Sequence, residues 1–467
     1  RTQDFHSCNT GSSPVGVTIH ILMNILILDI YPNKPYRISK DNNGGYGSAN
    51  RYGSNLISKA INWFVKKNVD WPPLSSVHVA GILRSKGHTV VYLRDFPSDL
   101  DNYHLFIIPS SITGCETEIS VIRKLIKLNK KVAVIGPFAS SNPDLYLKEG
   151  AFIIKGEPEM FFFNEEINRE KIKKISGIVD TFMSSPLDDL PLPAWDIIYD
   201  RYPSMFSLLK NKQRMIPLLA TRGCPYSCRF YCTYPLQQGI KVRQRSPDLI
   251  LKEMKHWKTS LGVNFFIFRD PVFSINKKHT LELCDVLIKS NEKFQFIIET
   301  HLNNLDIDLV EKLKSAGMIM VKVGVESAVP DVKKDANRFS IREDETFKKI
   351  KEIESLGIHV TTMFILGYPK DTIETCKETI NYAKKINSII TQFTVFTPYP
   401  GTPAFKDYEK KILTDKYEDF TMYDLIFKHD NLSPRDIEKL KNTAYQKCYL
   451  NKNWIVKYLS ARRTLPH

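Results

Sequence analysis

Three cysteines stand close together in the segment TRGCPYSCRFYCTYPLQQG, residues 221–239. Cys224, Cys228 and Cys232 can supply three thiolates, which both zinc ions and iron–sulfur clusters accept as ligands. A structural zinc site needs four protein ligands, and no fourth cysteine or histidine lies nearby in the sequence. The neighbouring glycine, proline and arginine favour a loop over buried, packed thiols. The pattern therefore favours a cubane cluster with one iron left free to bind a substrate.

Composition and charge narrow the class of protein. The chain has 467 residues, of which 42% are hydrophobic, and this predicts a globular protein of two or three domains. Its net charge is +15, but the lysines are spread over predicted helix faces and form no basic stripe with aromatics. We therefore do not expect a nucleic-acid partner. The remaining cysteines stand far apart, which is typical of a reducing cytoplasm: Cys8, Cys115, Cys284, Cys376 and Cys448.

The most apolar stretch of the sequence, Gly16–Ile30, does not predict a membrane span. Polar residues interrupt it, and it is shorter than the ~20 residues that a bilayer requires. It also lacks the basic start and cleavage site of a signal peptide. Because Met23 opens a clean strand, we interpret residues 1–22 as an extension that is either upstream sequence or not native.

The elements that must position the cysteines fall into two series. Strands and helices alternate over residues 23–170, which predicts an α/β domain with a doubly wound parallel sheet, Rossmann- or flavodoxin-like. Such sheets bind ligands at the carboxyl ends of their strands, where this sequence has IPSSITG, IGPFASSNP and KGEPE. The proline-rich segment LDDLPLPAWDI then marks a linker over residues 171–205.

A second series of about six β/α units follows over residues 206–405. Its strands are MIPLLAT, NFFIFRD, FQFIIET, MIMVKVGVES, HVTTMFILGYP and ITQFTVFTPYP. Six units predict a partial (β/α)6 barrel of the TIM type, whose chemistry lies at the strand ends. Residues 406–467 are interpreted as a helical C-terminal region.

The motifs together resemble those of the radical SAM enzymes. The resemblance rests on the three-cysteine loop, VRQRSP, VGVES, FILGYP and TPYPGTP, and the first domain with LPLPAWD resembles the cobalamin-binding module of one large subgroup. It covers roughly residues 23–405. It implies a [4Fe–4S] cluster, S-adenosylmethionine (SAM) and cobalamin as cofactors. One departure is the spacing, because the family pattern C-x-x-x-C-x-x-C would put its third ligand at Tyr231, so that Cys232 must serve instead.

The resemblance assigns SAM contacts to several strand ends. Glu326 resembles the residue that contacts the ribose hydroxyls, with a structural salt bridge as the alternative, and Gly324 leaves room beside it. Gly367 and Pro369 resemble the turn against the adenine, with an ordinary turn glycine as the alternative. Tyr231, the aromatic residue before the last cysteine, is also implied to touch the adenine.

Two further SAM contacts are implied, each with an ordinary surface role as its alternative. The usual Gly-Gly-Glu stretch that receives the amino group is absent, so Asp270 in FRDPVFS is the candidate acceptor. Arg338 is the candidate partner of the SAM carboxylate.

For cobalamin, the resemblance points to two strand-end loops that would hold the nucleotide tail. Their candidate residues are Ser110, Ser111, Thr113, Gly136, Pro137 and Ser140, and the alternative is that these are ordinary strand-end loops. The glycine-rich loop 42–53 lines either the corrin or the substrate. None of the first-domain histidines, His78, His88 and His104, stands in a D-x-H-x-x-G loop. We therefore predict that no histidine lies beneath the cobalt.

The resemblance implies a methyltransferase that acts on an unactivated carbon through a 5′-deoxyadenosyl radical and methylcobalamin. A cyclase, oxidase or rearrangement enzyme with the same cofactors, similar to the anaerobic porphyrin ring cyclase, is the alternative. A cobalamin carrier with an inactive barrel is disfavoured by the intact cysteines. The expected partners are a low-potential electron donor of the flavodoxin or ferredoxin type and a small-molecule, lipid or peptide substrate. Catalytic residues beyond the cofactor contacts are not predicted.

Overall fold

The structure is a computed structural model, and it describes residues 22–181, 186–199, 214–338 and 341–464. The predicted extension thus lies outside the described residues except for its last position. None of the helices in these ranges is both long and apolar enough to cross a bilayer.

The first domain is built on a parallel sheet with the strand order β4-β1-β5-β6-β7-β8. Its central strands are short and apolar on both faces, as expected where helices cover both sides of a sheet. The strands of this half are β1 (Asn24–Leu28), β2 (Ile38–Ser39), β3 (Ser48–Ala49), β4 (Thr89–Leu93), β5 (Leu105–Pro109), β6 (Val132–Ile135), β7 (Phe152–Lys155) and β8 (Ile178–Asp180). The helices are α1 (Leu56–Asn68), α2 (Leu74–Ser85), α3 (Cys115–Lys127), α4 (Pro137–Ser141), α5 (Asp144–Leu147), α6 (Pro158–Asn164) and α7 (Arg169–Lys174).

The boundary predicted at residue 170 is wrong. Strand β8 pairs in parallel with β7, with Ile153 opposite Ile178, and therefore belongs to the first sheet. The sequence around β8 is short and only partly apolar, which explains why its pattern did not indicate a strand. The first domain extends at least to Asp180.

The second sheet has the order β16-β15-β14-β13-β12-β9, with every neighbouring pair parallel. This order confirms the predicted partial barrel, strand for strand. The strands of this half are β9 (Ile216–Leu218), β10 (Thr221–Arg222), β11 (Arg243–Gln244), β12 (Phe265–Phe268), β13 (Gln295–Thr300), β14 (Met318–Glu326), β15 (His359–Leu366) and β16 (Ile390–Val395). Of these, β10 and β11 form a separate two-stranded antiparallel sheet. The helices are α8 (Tyr234–Gln238), α9 (Pro247–Leu261), α10 (Lys277–Lys289), α11 (Ile307–Ser315), α12 (Pro330–Asp335), α13 (Glu343–Ser355), α14 (Ile373–Ile386) and α15 (Pro403–Tyr408).

The C-terminal region is helical at its beginning, where α15 ends, and in its last part. Helices α16 (Pro434–Tyr449) and α17 (Lys452–Thr464) are present, but residues 412–433 form loops and a single 3-10 turn. The predicted helical region over 406–467 is therefore too long. The irregular part contains buried side chains such as Phe420, Tyr423 and Phe427 that pack against the other domains, so tertiary contacts rather than helix propensity determine its path.

Candidate cluster and cofactor site

The cysteine loop begins where β10 ends, at the carboxyl end of the first barrel strand. Gly223 has a φ of 93°, and a Cβ at this position would collide with the backbone carbonyl of Lys241 on the returning segment. Only glycine is therefore accommodated at this turn. Cys224 and Cys228 are buried and Cys232 is half-buried.

The three thiols influence one another. A hydrogen bond with the Cys232 thiol lowers the pKa of Cys228 to about 6 against the effect of burial, and the charge of Arg338 acts in the same direction as that bond. The Arg338 guanidinium lies 3.8 Å from Cys228 Sγ. A thiolate is the form that binds iron, so this environment suits a ligand of a cluster.

The described side chains also bear on whether this part of the protein could hold a single metal ion. Over the described ranges, no three His, Cys, Asp or Glu side chains converge on one point as ligands of a mononuclear ion would. In a cubane each cysteine binds a different iron, so its sulfurs surround the cluster without meeting at one point. Binding of a cluster by Cys224, Cys228 and Cys232 therefore stays a prediction.

Strand β14 brings two of the predicted SAM residues next to this loop. The register against β15 shifts between Gly324 and Glu326, and Glu326 has a φ of 68°, which re-aims its side chain at the strand end. Its carboxylate lies 3.1 Å from the Arg338 guanidinium, which also donates to the Gly324 carbonyl at 3.3 Å. Arg338 thus connects Cys228 with Glu326. The salt bridge named above as the alternative role of Glu326 is therefore present in the structure.

Gly324 provides the room that the sequence predicted. A Cβ at this position would overlap the Glu326 carboxylate and lie 2.8 Å from the Arg338 guanidinium. Burial raises the pKa of Glu326, and Arg338 opposes that rise.

An aromatic group closes the other side of the cysteine loop. The Tyr368 hydroxyl donates a hydrogen bond to the Tyr231 hydroxyl at 3.2 Å, and both rings pack on Phe396. Tyr368 lies in the turn between Gly367, whose φ is 73°, and Pro369, which is half-buried. The structure therefore brings the predicted adenine turn and Tyr231 together. Tyr368 itself was missed, because sequence reasoning noted only the glycine and proline of its motif.

Asp270 has a different environment from the one predicted for an acceptor of the SAM amino group. It is fully buried, and its carboxylate accepts hydrogen bonds from the backbone N–H groups of Ala220 and Thr221. Burial raises its pKa to about 6. These hydrogen bonds hold β9 and β10 in position. The contact of Asp270 with SAM stays a prediction.

A cleft separates the two domains on the side of the cysteine loop. From the first domain it is lined by Ser110, Gly136 and Pro137, and from loop 42–53 by Gly44 and Gly45. The barrel contributes Tyr234, Gln237, Gln238 and Arg269. Half of the residues predicted for cobalamin therefore face the segment that directly follows the cluster cysteines.

Small residues keep this cleft open. At Gly136 a Cβ would approach Ser110 Oγ to 3.0 Å, and at Gly45 a Cβ would touch the Pro137 ring at 3.4 Å. Glycine at these two positions lets the loops of the first domain approach one another closely, and binding of the corrin that the resemblance implies stays a prediction.

The other predicted cobalamin residues lie behind the lining of the cleft. Ser111 is tied to Glu118 through both its N–H and its hydroxyl, and Ser140 donates to the Gly136 carbonyl at 2.9 Å. Thr113 Oγ1 is buried without a hydrogen-bond partner in the described part of the chain. Their direct contact with a ligand stays a prediction.

The three histidines lie away from the cleft lining. His88 and His104 accept backbone hydrogen bonds from Met23 and Asn24, at the amino end of β1, which is the wrong edge of the sheet. His78 is buried within α2, where burial lowers its pKa well below the usual range.

The contact between the cysteine loop and the first domain was missed by sequence reasoning. Arg222, two residues before Cys224, lies 3.2 Å from Glu159 and 3.4 Å from Glu157, and Arg243 binds Glu157 with two hydrogen bonds of 2.5 and 3.0 Å. The acids come from KGEPE, which the sequence placed correctly at a strand end. No signal in the sequence pairs them with these arginines.

Comparison with known proteins identifies the barrel. Residues 218–383 match the model of the Radical SAM superfamily. The chain is 25% identical to an uncharacterized methyltransferase of Pyrococcus horikoshii, over 83% of this chain and 89% of the relative. It is 25% identical to the bacteriochlorophyllide d C-12(1)-methyltransferase of Chlorobaculum tepidum, over 84% and 88%. It is 24% identical to the anaerobic magnesium-protoporphyrin IX monomethyl ester cyclase of Rubrivivax gelatinosus, over 83% and 75%.

Two solved structures share the fold of both domains. The radical SAM methyltransferase TsrM from Kitasatospora setae, with cobalamin and a [4Fe–4S] cluster bound, has a TM-score of 0.60 at 14% identity, covering 84% of this chain and 78% of that one. The cobalamin-dependent SAM radical enzyme OxsB, with aqua-cobalamin and SAM bound, has a TM-score of 0.62 at 13% identity, covering 94% and 70%. At these identities the likeness concerns the fold.

Proposed function

We propose that this chain, whose barrel matches the Radical SAM superfamily over residues 218–383, methylates an unactivated carbon with cobalamin as methyl carrier. The observation that carries the proposal is the shared cleft. Gly136 and Pro137 of the first domain face Tyr234 and Gln237, a few residues after the last cluster cysteine. A methyl carrier and a radical source must lie close together for one substrate to meet both.

The residues of the chain have separable tasks in this scheme. When bound, the cluster and SAM supply a 5′-deoxyadenosyl radical, and cobalamin carries the methyl group. Cys224, Cys228 and Cys232 hold the cluster, and Arg338 orients Glu326 toward the ribose hydroxyls through their ion pair. Tyr231 packs against Tyr368 and Phe396, and this aromatic group forms a wall that excludes water from the adenine side.

The proposed chemistry also requires an electron donor, reducing conditions and a substrate. A low-potential donor of the flavodoxin or ferredoxin type delivers the electron, and the cytoplasm supplies the reducing conditions. The described cysteines are all free thiols, which supports this compartment. The substrate is a small molecule, lipid or peptide that enters the cleft.

The test uses the full chain, reconstituted without oxygen with iron, sulfide and hydroxocobalamin. We expect both 5′-deoxyadenosine and S-adenosylhomocysteine during turnover, because methyl transfer consumes a second SAM to remethylate cobalamin. Cys228→Ala should lose the cluster and SAM cleavage while it retains cobalamin. Cys284→Ala, at a buried cysteine on α10, is the matched control and should retain both activities. Full SAM cleavage by Cys228→Ala would contradict the proposal.

Ring cyclisation is the second candidate, supported by the similarity to the anaerobic porphyrin ester cyclase. The two candidates share their cofactors and fold, so the structure does not separate them. They differ in products, since cyclisation yields 5′-deoxyadenosine without S-adenosylhomocysteine.

A further inference from the structure

Two helices on the surface of the protein share an unusual composition. Helix α1, LISKAINWFVKKN, and helix α17, KNWIVKYLSARRT, contain no aspartate or glutamate. Between them they carry seven lysines and arginines, in a chain whose net charge is already +15. Lys59, Lys66 and Lys67 on α1 and Lys452 on α17 are exposed. This surface therefore attracts an anionic partner.

The same helices expose large apolar side chains. Leu56 is 84% exposed and Trp63 is 62% exposed on α1. On and beside α17, Leu450, Ile455, Val456 and Leu459 are between 46% and 63% exposed. Isolated exposed apolar residues are ordinary, but several on two neighbouring helices indicate an interaction site.

An apolar groove of about 610 Å³ joins the two helices. Ile57, Ile61 and Phe64 of α1 line one side, and Trp454 of α17 and Leu450 line the other. Its floor is the beginning of β16, at the opposite end of the barrel from the cysteine loop. This groove is therefore distinct from the cofactor cleft.

Trp63 combines both properties of the surface. Its ring is mostly exposed, and Lys67 Nζ lies 5.1 Å from the ring centroid. A tryptophan beside lysines, on a helix with one apolar and one basic side, is typical of segments that lie in the interface of a bilayer.

We propose that the surface formed by α1, α17 and Leu450 docks on an anionic lipid membrane. The exposed apolar side chains enter the boundary between headgroups and acyl chains, and the groove receives part of a lipid chain. The exposed lysines bind the phosphate groups. The cofactor cleft remains accessible because it opens elsewhere on the molecule. This inference does not depend on the methyl-transfer proposal.

Vesicle flotation tests the proposal with the full chain. The probes are vesicles of phosphatidylcholine alone and of phosphatidylcholine mixed with phosphatidylglycerol. We expect the protein to float with the mixed vesicles at low salt and to be released by high salt, because surface charges are screened. Leu56→Ser combined with Trp63→Ser should weaken binding by about tenfold or more. Lys66→Glu and Lys67→Glu should each weaken it by about fivefold or more.

Matched controls lie at the end of α3. Leu128 is 53% exposed and Lys127 is also exposed, so Leu128→Ser and Lys127→Glu change the same residue types elsewhere on the first domain. Both should bind the mixed vesicles as the unchanged protein does. Circular dichroism confirms that every variant is folded.

Three outcomes would overturn the proposal. The first is no flotation with anionic vesicles at low salt, and the second is equal binding to both kinds of vesicle. The third is a concentration-dependent dimer in light scattering, lost in Trp63→Ser, which would assign the surface to a second copy of the chain.

Discussion

Arg222 Nη2 lies 3.2 Å from Glu159 Oε1, and this contact joins the cysteine loop of the barrel to the first domain. Both side chains are at most 5% exposed. Burial raises the pKa of Glu159, while Arg222 opposes that rise. Glu157 lies between Arg222 and Arg243, so one carboxylate serves two arginines. A buried group of this kind fixes the position of the cysteines relative to the cofactor cleft.

Removal of Glu157 tests this interdomain contact. Glu157→Ala leaves Arg222 with one acid and takes both carboxylate bonds from Arg243, and uncompensated buried charge typically costs about 3–5 kcal/mol. We expect the free energy of unfolding, measured in urea, to fall by that amount. Cluster content after reconstitution should fall as well.

The control for this experiment is Glu170→Ala. Glu170 pairs with Lys173 at 3.4 Å, but both side chains are about 70% exposed. Exposed pairs contribute little, so the change should stay within about 0.5 kcal/mol. If the two substitutions lowered the free energy of unfolding equally, the ion pairs of Glu157 would contribute no more than an exposed pair, and the prediction would be wrong.

Gly324→Ala should weaken SAM binding without unfolding the protein. The added methyl group would displace the Glu326 carboxylate and the Arg338 guanidinium, which are proposed to face SAM. We expect the Kd for SAM, from anaerobic equilibrium dialysis, to rise by about tenfold or more, since one charge-assisted hydrogen bond contributes roughly 1.5–3 kcal/mol.

Gly357→Ala is the matched glycine control. Nothing lies within 4 Å of a Cβ at Gly357, but its φ of 79° makes alanine strained. It should therefore lower the stability and leave the Kd for SAM unchanged. A normal Kd in Gly324→Ala would remove Glu326 and Arg338 from the SAM site.

Much of the fold could be predicted from the sequence because parallel strands have a strong apolar pattern. All six barrel strands were found, since each is a buried run followed by a helix with one apolar face. Strand β8 was missed because it is three residues long and half-exposed. The role of α16 was also unpredictable. Tyr445 and Tyr449 on this helix hydrogen-bond the backbone of the edge strand β16 at Phe393 and Thr391.

Sequence motifs predicted individual residues of the candidate site but not how those residues contact one another. The motifs of Cys228, Glu326 and Tyr231 predicted which residues belong to the site, and their binding of ligands stays a prediction. Distances between side chains across the fold could not be predicted from motifs. Arg338, which is paired with Glu326, also contacts Cys228, which lies 110 positions away in the chain. The Asp270 environment likewise depends on burial, which a single motif does not indicate.

Asp270 should make the stability depend on pH. Burial raises its folded-state pKa from the usual 3.8 to about 6, so the folded protein holds this proton more tightly than the unfolded chain. The resulting stabilisation is complete below about pH 4 and is lost as the pH rises through about 6. Asp270→Asn removes this titration, so the free energy of unfolding of the original protein should fall relative to that of the variant by up to about 3 kcal/mol as the pH rises over this range.

Urea unfolding at several pH values measures this difference. Asp308→Asn, at an exposed position in the first turn of α11, is the control and should show no comparable trend. A stability difference for Asp270→Asn that is constant with pH would contradict the assigned environment.

The last prediction concerns the lower face of cobalt. His88 and His104 are held by backbone hydrogen bonds at the amino end of β1, and His78 is buried within α2. We therefore expect no histidine nitrogen on cobalt, and the nucleotide tail of the cofactor also displaced into the strand-end loops. Loss of a nitrogen donor makes cobalt easier to reduce, which favours its remethylation by SAM. The EPR spectrum of the cob(II) form bound to the full chain should show no nitrogen superhyperfine splitting, and His78→Ala should leave it unchanged. A triplet splitting from a coordinated nitrogen, lost in His78→Ala, would instead identify His78 as the ligand, and one that persists would assign the nitrogen to the tail of the cofactor.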